Sequence, residues 1–195
     1  MASRALREWR TTQRAELDRL DGQLRQVRGG APEQRAVRLQ LVDAGIVLLA
    51  GHFQRYCRDL YGEAASFLAA QVQSGSASAV VHDVFLVNTA LARGNARPQA
   101  LQADFNRFGF DVWIALKQHD GRDEGRRDRL AELVTWRNAV AHQNLQTGQP
   151  APSHTGVGRN LRTLRMWRHV CSALAHDLDA VVKHRLTTLA GRRPW

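Results

Sequence analysis

Two cysteines in 195 residues, Cys57 and Cys171, are too few and too far apart for a disulfide framework or a zinc-binding pattern. Both are expected to be reduced and half-buried, and no spacing rule links Cys57 to a histidine that would make it a nucleophile. Long hydrophobic runs are missing as well. The longest purely apolar stretch, Ala44 to Ala50 with Gly45 inside it, falls far short of the roughly 20 residues that cross a bilayer. No membrane span is expected. Met1 to Arg10 alternates charged with apolar residues and holds no signal-peptide core, so a cytoplasmic location is expected. There is no glycine-rich phosphate loop, no paired-carboxylate metal site and no Gly-x-Ser-x-Gly elbow, which leaves ATP-dependent and metal-dependent chemistry without support. Neither a cofactor nor a resident metal is expected.

Lysine is also scarce: there are 2, against 26 arginines, and the formal net charge is +10. An excess of this size has two readings. One is a surface for a polyanion, which would speed association and make binding salt-dependent. The other is a compositional bias that puts arginine wherever lysine would serve, and the even spread from Arg4 to Arg193 fits it. Arg55, Arg58, Arg159, Arg162 and Arg165 are the candidate phosphate contacts.

The apolar residues that are present fall at helical spacing, and the length calls for a single domain over residues 1–195. Leu17, Leu20, Leu24 and Val27 predict an amphipathic helix over about 4–28, ended by Gly29-Gly30-Ala31-Pro32. Val42, Ile46, Leu49, Phe53, Tyr56 and Leu60 follow with a strict 4-3-4-3-4 spacing. Around Ala44 to Gly51 that helix is apolar on nearly all sides, which predicts a place at the centre of a bundle or under a partner subunit. Gln73 to Ser78 reads as a loop, Val80 to Leu91 as a helix, and 94–120 as short helices joined by turns. Asp120 to Asp128 reads as a solvated turn opening the next helix, on which Leu130, Leu133, Val134, Arg137 and Ala141 share a face. Gly148 to Gly158 breaks the chain again. A last helix carries Leu161, Leu164, Trp167, Cys171, Leu174, Leu178, Val181 and Leu189 and stops at Gly191. With no internal repeat and no strong hairpin signal, the chain is expected to be all-α.

The stretch Trp136-Arg137-Asn138-Ala139-Val140-Ala141-His142 carries the chemistry. Arginine can grip a phosphate through two parallel hydrogen bonds, and histidine exchanges protons near neutrality. Together they can cleave a phosphodiester. On a regular helix Asn138 and His142 share a face, whereas Arg137 and His142 are separated by about 140°. Three arrangements would join them: a helix deformed near Ala141, the long reach of the arginine, or completion of the site across a two-fold axis. The bland alternative pairs Arg137 with Glu132 or Asp128, lets Asn138 cap a turn, and leaves His142 at a helix end where its charge is favourable.

Arg137-Asn138, three small or apolar residues and His142 resemble the signature of the HEPN superfamily, and most closely its RiboL-PSP-type branch. The Leu130–Trp136 helix, the Phe105 to Phe110 segment and the run from Leu48 to Tyr56 resemble the flanking elements of that branch, over roughly residues 35 to 190. The resemblance implies an all-α HEPN-like bundle of about four to six helices, with Arg137, Asn138 and His142 as catalytic residues. It implies a homodimer in which both motifs face one cleft, and a metal-independent endoribonuclease acting as a toxin or antiviral effector. RNA and an antitoxin or other regulatory protein are the implied partners. In that setting His142 would activate a 2′-hydroxyl or protonate the leaving 5′-oxygen, and Arg137 would stabilise the phosphorane-like transition state. Asn138 would orient His142 or the phosphate. The chain departs from relatives at Asn144, where some toxins carry a tyrosine, and at Gln54, where many carry a glutamate. The competing expectation is a catalytically silent module of the same kind that binds RNA, a nucleotide or a partner.

His169, His176 and His184 lie seven and eight residues apart, too far for a shared metal. A packed or interface row is expected there. His52, near Gln54 and Tyr56, faces either the cleft or the core.

Overall fold

The computed structural model describes residues 1–27, 31–71, 80, 83–121, 123–142 and 158–195. Helices α1 (Arg4–Glu8) and α2 (Arg14–Gln26) form one rod joined by a π-helical turn, Trp9–Gln13. Then come α3 (Pro32–Ala69), α4 (Ala90–Arg93), α5 (Pro98–Phe105) with a 3-10 turn at Asn106–Phe108, α6 (Val112–His119), α7 (Asp123–Ala141) and α8 (Leu161–Ala190). The described residues are all-helical, as the periodicity predicts, and hold eight α-helices rather than four to six. The excess comes from the π turn, which divides the first rod, and from the three short helices between Ala90 and His119. Gln73 to Ser78 and most of Gly148 to Gly158 lie outside the described residues.

Helix α3 is the axis of the bundle. Pro32 stands in its first turn, where a missing N–H costs nothing, and all six residues of the 4-3-4-3-4 stripe are buried. It packs against α1, α2, α7 and α8. Its other side is open: residues 31–40 are all exposed, and Ala44, Val47 and Gly51 face solvent. The helix is therefore central without being enclosed. It is also the one helix, among the described residues, with an 18-residue window apolar enough to cross a membrane by length and composition, at mean hydropathy 1.4. The longest unbroken apolar run within it is still only Ala44 to Ala50.

The ends are fixed by specific caps. Ser3 accepts from the Leu6 N–H while its own N–H donates to Asp179 on α8 at 3.0 Å. Glu63 of α3 accepts the N–H groups of Arg4 and Ala5. The N-terminal rod is thereby tied to α3 and α8 through its first turn. Helix α8 starts at Asn160, whose side chain accepts from the Thr163 N–H, and stops at Gly191 with φ 68°. Where α2, α3 and α8 meet, Gly45 leaves no room for a side chain: a Cβ there would lie 2.5 Å from Leu164 Cδ2 and 2.9 Å from Leu20 Cδ2.

Four expectations change. Cys57 and Cys171 are fully buried rather than half-buried, and burial pushes both thiols well above their ordinary pKa. The charged stretch after Asp120 is not simply a solvated turn, because Arg126 bridges Asp120 at 2.8 Å and Asp177 of α8 at 2.6 Å. Leu189 is 46% exposed and takes no part in the core. His169, His176 and His184 are exposed rather than packed.

Candidate functional site

Helix α7 brings the motif to the bundle surface. Leu130, Leu133 and Trp136 are buried on its inner face, so Arg137 and Asn138 fall at the edge of the core and His142 lies beyond it, exposed. The helix stays regular to its end, because the His142 N–H donates to the Asn138 carbonyl at 3.0 Å. Deformation near Ala141 is thus excluded as the way to join Arg137 with His142.

The arginine's reach does part of the joining. Arg137 Nη1 donates to Asn138 Oδ1 at 3.2 Å, which draws the guanidinium round to the face that Asn138 shares with His142. The same oxygen accepts from Asn95 Nδ2 at 2.8 Å. One amide oxygen therefore gathers a guanidinium and a second amide, one helical turn before the imidazole. Neither acid of the bland alternative claims the arginine: the buried Glu132 carboxylate accepts from Arg129 at 3.1 Å and from the Trp167 indole at 3.0 Å. Between the Arg137 guanidinium and the His142 ring no hydrogen bond forms within one chain.

Asn95 was not legible in the sequence, and its position is built from two sides. Asp104, buried at 1% exposure, accepts the Ala90 and Leu91 N–H groups at 2.8 and 2.7 Å, and Thr89 accepts that of Ala92. These fix the start of α4. Its end is held by Gln54 of α3, whose Nε2 donates to the Gly94 carbonyl at 2.5 Å and reaches the Leu91 carbonyl at 3.5 Å. Gln54, α4 and Asn95 form a strut that runs from the central helix to Asn138. A glutamate at 54 would present only acceptors to those carbonyls. The residue that departs from the expected glutamate is thus the one this geometry requires. Thr89, three residues before the N–H it caps, is the single signal for α4 that the sequence carries.

Of the proposed phosphate contacts, Arg55 lies beside Glu8 and Asp59, Arg159 beside Asp43, and Arg165 beside Asp21. Arg58 and Arg162 have no acidic partner among the described residues. His52 is half-buried: its Nε2 comes within 2.9 Å of Glu16 Oε2 without the alignment of a hydrogen bond. Burial holds its pKa below the ordinary value, against the opposing pull of Glu16. Among the described residues no cluster of His, Cys, Asp and Glu could hold a metal ion.

Two clefts lie elsewhere on the surface. One of about 380 Å³, between the first rod and α8, is lined by Trp9, Arg10, Arg14, Arg165, Arg168 and His169. Another, of about 330 Å³, lies between the start of α3 and the start of α8. Neither is lined by Arg137, Asn138 or His142. No family model, no curated protein and no solved structure matches the chain.

Proposed function

We propose that the chain is an HEPN-like, metal-independent endoribonuclease, cytoplasmic and homodimeric, serving as a toxin or an antiviral effector. The observation that carries this reading is the Asn138 carboxamide. It holds Arg137 away from the nearby acids and leaves both the guanidinium and the exposed His142 at the surface end of α7. A structural arginine would be expected to sit on a carboxylate. A second copy of α7 across a two-fold axis would bring two arginines and two histidines to one phosphodiester.

In that cleft one His142 accepts the proton of a ribose 2′-hydroxyl as its oxygen attacks phosphorus. The other, protonated, donates to the departing 5′-oxygen. The products are a 2′,3′-cyclic phosphate and a 5′-hydroxyl. Arg137 stabilises the extra negative charge on the phosphorane-like transition state, and Asn138 orients Arg137. General acid–base help is worth about 10²–10⁴-fold, and loss of one preorganised charge donor costs about 10²–10³-fold. His142→Ala and Arg137→Ala are therefore each expected to lower cleavage by at least ~10²-fold.

The test is digestion of total cellular RNA in EDTA by wild type, His142→Ala and Arg137→Ala at matched folding and oligomeric state, with the fragment ends analysed. Cyclic phosphate termini from wild type alone support the reading, and a DNA strand of the same sequence should be bound but not cut. Equal activity in all three proteins would refute it. The second reading, a silent RNA-binding module, is favoured by the lack of any Arg137–His142 contact within one chain. Salt-dependent RNA binding with no cleavage by wild type selects it.

A further inference from the structure

The cleft between the starts of α3 and α8 is floored by Leu39 and Val42 and rimmed by Arg35, Arg38, Arg159 and Arg162. Four guanidinium groups line it, and of these Arg159 pairs with a carboxylate, Asp43, at 3.2 Å. Arg35, Arg38 and Arg162 are exposed and have no acidic partner among the described residues. The larger cleft beside the first rod differs in this respect. There Asp18 lies beside Arg14 and Arg168, and Asp21 holds Arg165 and Arg25, so much of its charge is already answered. The helix terminus does not account for the difference, since Asn160 already accepts the Thr163 N–H.

Topology sets this cleft at the same end of the bundle as the motif. Arg126 of α7 meets Asp177 of α8, and Glu132 meets Trp167, so the two helices run antiparallel. From Glu132 to His142 is ten residues, about 15 Å of helix, and from Trp167 back to Asn160 is seven, about 10 Å. His142 therefore stands near the level of the first turn of α8. Helix α3 runs alongside α8 in the same direction, with Asp43 beside Arg159 and Tyr56 donating to Ala175. This places Arg35 and Arg38 at that end too.

We propose that the cleft rimmed by Arg35, Arg38 and Arg162 holds the phosphodiester backbone of single-stranded RNA beside the motif. The proposal rests on the reading of the chain as an RNA-binding protein and adds the surface that does the binding. Guanidinium groups grip phosphate oxygens in pairs, and the apolar floor lets bases or sugars lie against Leu39 and Val42. Arg159, tied to Asp43, sets the rim and is not needed free.

The experiment is a salt titration of affinity for a short fluorescent single-stranded RNA whose 2′-hydroxyls are methylated, so that binding is read without cleavage. Wild type is compared with the triple variant Arg35→Gln/Arg38→Gln/Arg162→Gln and with His142→Ala. A control, Arg19→Gln/Arg192→Gln/Arg193→Gln, removes the same charge elsewhere, at exposed residues. Three lost phosphate contacts should lower the slope of log K against log salt by about 2, which is a several-hundred-fold loss near 50 mM salt. His142→Ala should bind as wild type, and the control should change far less than the cleft variant. Circular dichroism and size-exclusion profiles check that all remain folded.

Equal losses in both triple variants would mean diffuse attraction and overturn the proposal. So would wild-type affinity in the cleft variant, or wild type that binds anionic vesicles and not RNA. Cleavage of unmodified RNA is scored separately. If wild type binds through the cleft but cuts nothing, the cleft stands and the nuclease reading falls. If the cleft variant binds normally while His142→Ala loses cleavage, the reverse holds.

Discussion

Gln54→Glu replaces an N–H donor with a carboxylate where the Gly94 carbonyl stands 2.5 Å away and the Leu91 carbonyl 3.5 Å away. One hydrogen bond is lost, about 1 kcal/mol net, and a negative charge is aimed at two carbonyl oxygens, which adds a comparable penalty. Gln54 is only partly buried, so the new side chain can turn toward water, and a total near 2 kcal/mol is the reasonable scale. For a chain of this size that lowers Tm by roughly 4–8 °C. The deficit should depend on pH. Repulsion by the carbonyls raises the pKa of the introduced acid in the folded state above its ordinary ~4.3, so the penalty is present above that raised value. It disappears as pH falls through it, because the protonated acid can donate. Urea midpoints for wild type, Gln54→Glu and Gln54→Ala at several pH values measure this. RNA cleavage by the same proteins should fall with Gln54→Glu, because Asn95 and then Asn138 lose their support. The family resemblance taken alone predicts the opposite, a gain when the expected glutamate is installed. A Gln54→Glu protein as stable as wild type at neutral pH, or more active, would refute the strut.

Two further outcomes follow from packing and titration. Gly45→Ala should cost about 1–3 kcal/mol, because its methyl must displace the ends of Leu164 and Leu20. Combining it with Leu164→Ala should cost at least 1 kcal/mol less than the sum of the two, as read in a urea double-mutant cycle; strict additivity would contradict the three-helix contact. His52 is held below the ordinary histidine pKa first by burial, so the unfolded chain binds more protons in the interval from that lowered value up to ~6.5. Stability should rise with pH through the interval and be lost as pH falls through it. His52→Gln should shrink the difference in urea midpoint between about pH 7.5 and pH 5, and an unchanged difference would assign it to other groups.

Periodicity carried much of the fold. The stripe from Val42 to Leu60, the stop at Gly191 and the face of α7 follow from one helix burying one side, a property written in spacing alone. What spacing does not report is which polar atoms meet across elements. Arg126 looked like one charge in a solvated run, yet it joins Asp120 to Asp177, more than fifty residues further along the chain. Asn95 sits in an unremarkable turn and becomes meaningful only once Asn138 is beside it. Arg35 and Arg38 stand on a part of α3 that carries no core residue, so spacing gives them no mark, and it is the antiparallel run of α7 and α8 that makes their end of the bundle matter. The motif was legible because it is local. Its support comes from three separated segments and was not.

The π-helical turn at Trp9–Gln13 acts as a phase slip in an otherwise ordinary rod. A turn of this type holds one residue more than an α turn, so everything upstream is rotated by about 100° relative to an uninterrupted helix. Trp9 and Gln13, its end residues, are both buried, and upstream of the slip Ser3, Ala5 and Leu6 come to rest on Asp179, Glu63 and the core. The docking of the N-terminal arm is therefore counted in residues as well as chosen by residue type. Exchanging one surface side chain of the turn for another leaves the count intact. Excising one of Arg10, Thr11 or Thr12 would wind the segment back into a plain helix and turn Ser3, Arg4 and Ala5 away from Asp179 and Glu63, although none of the three excised residues makes those contacts.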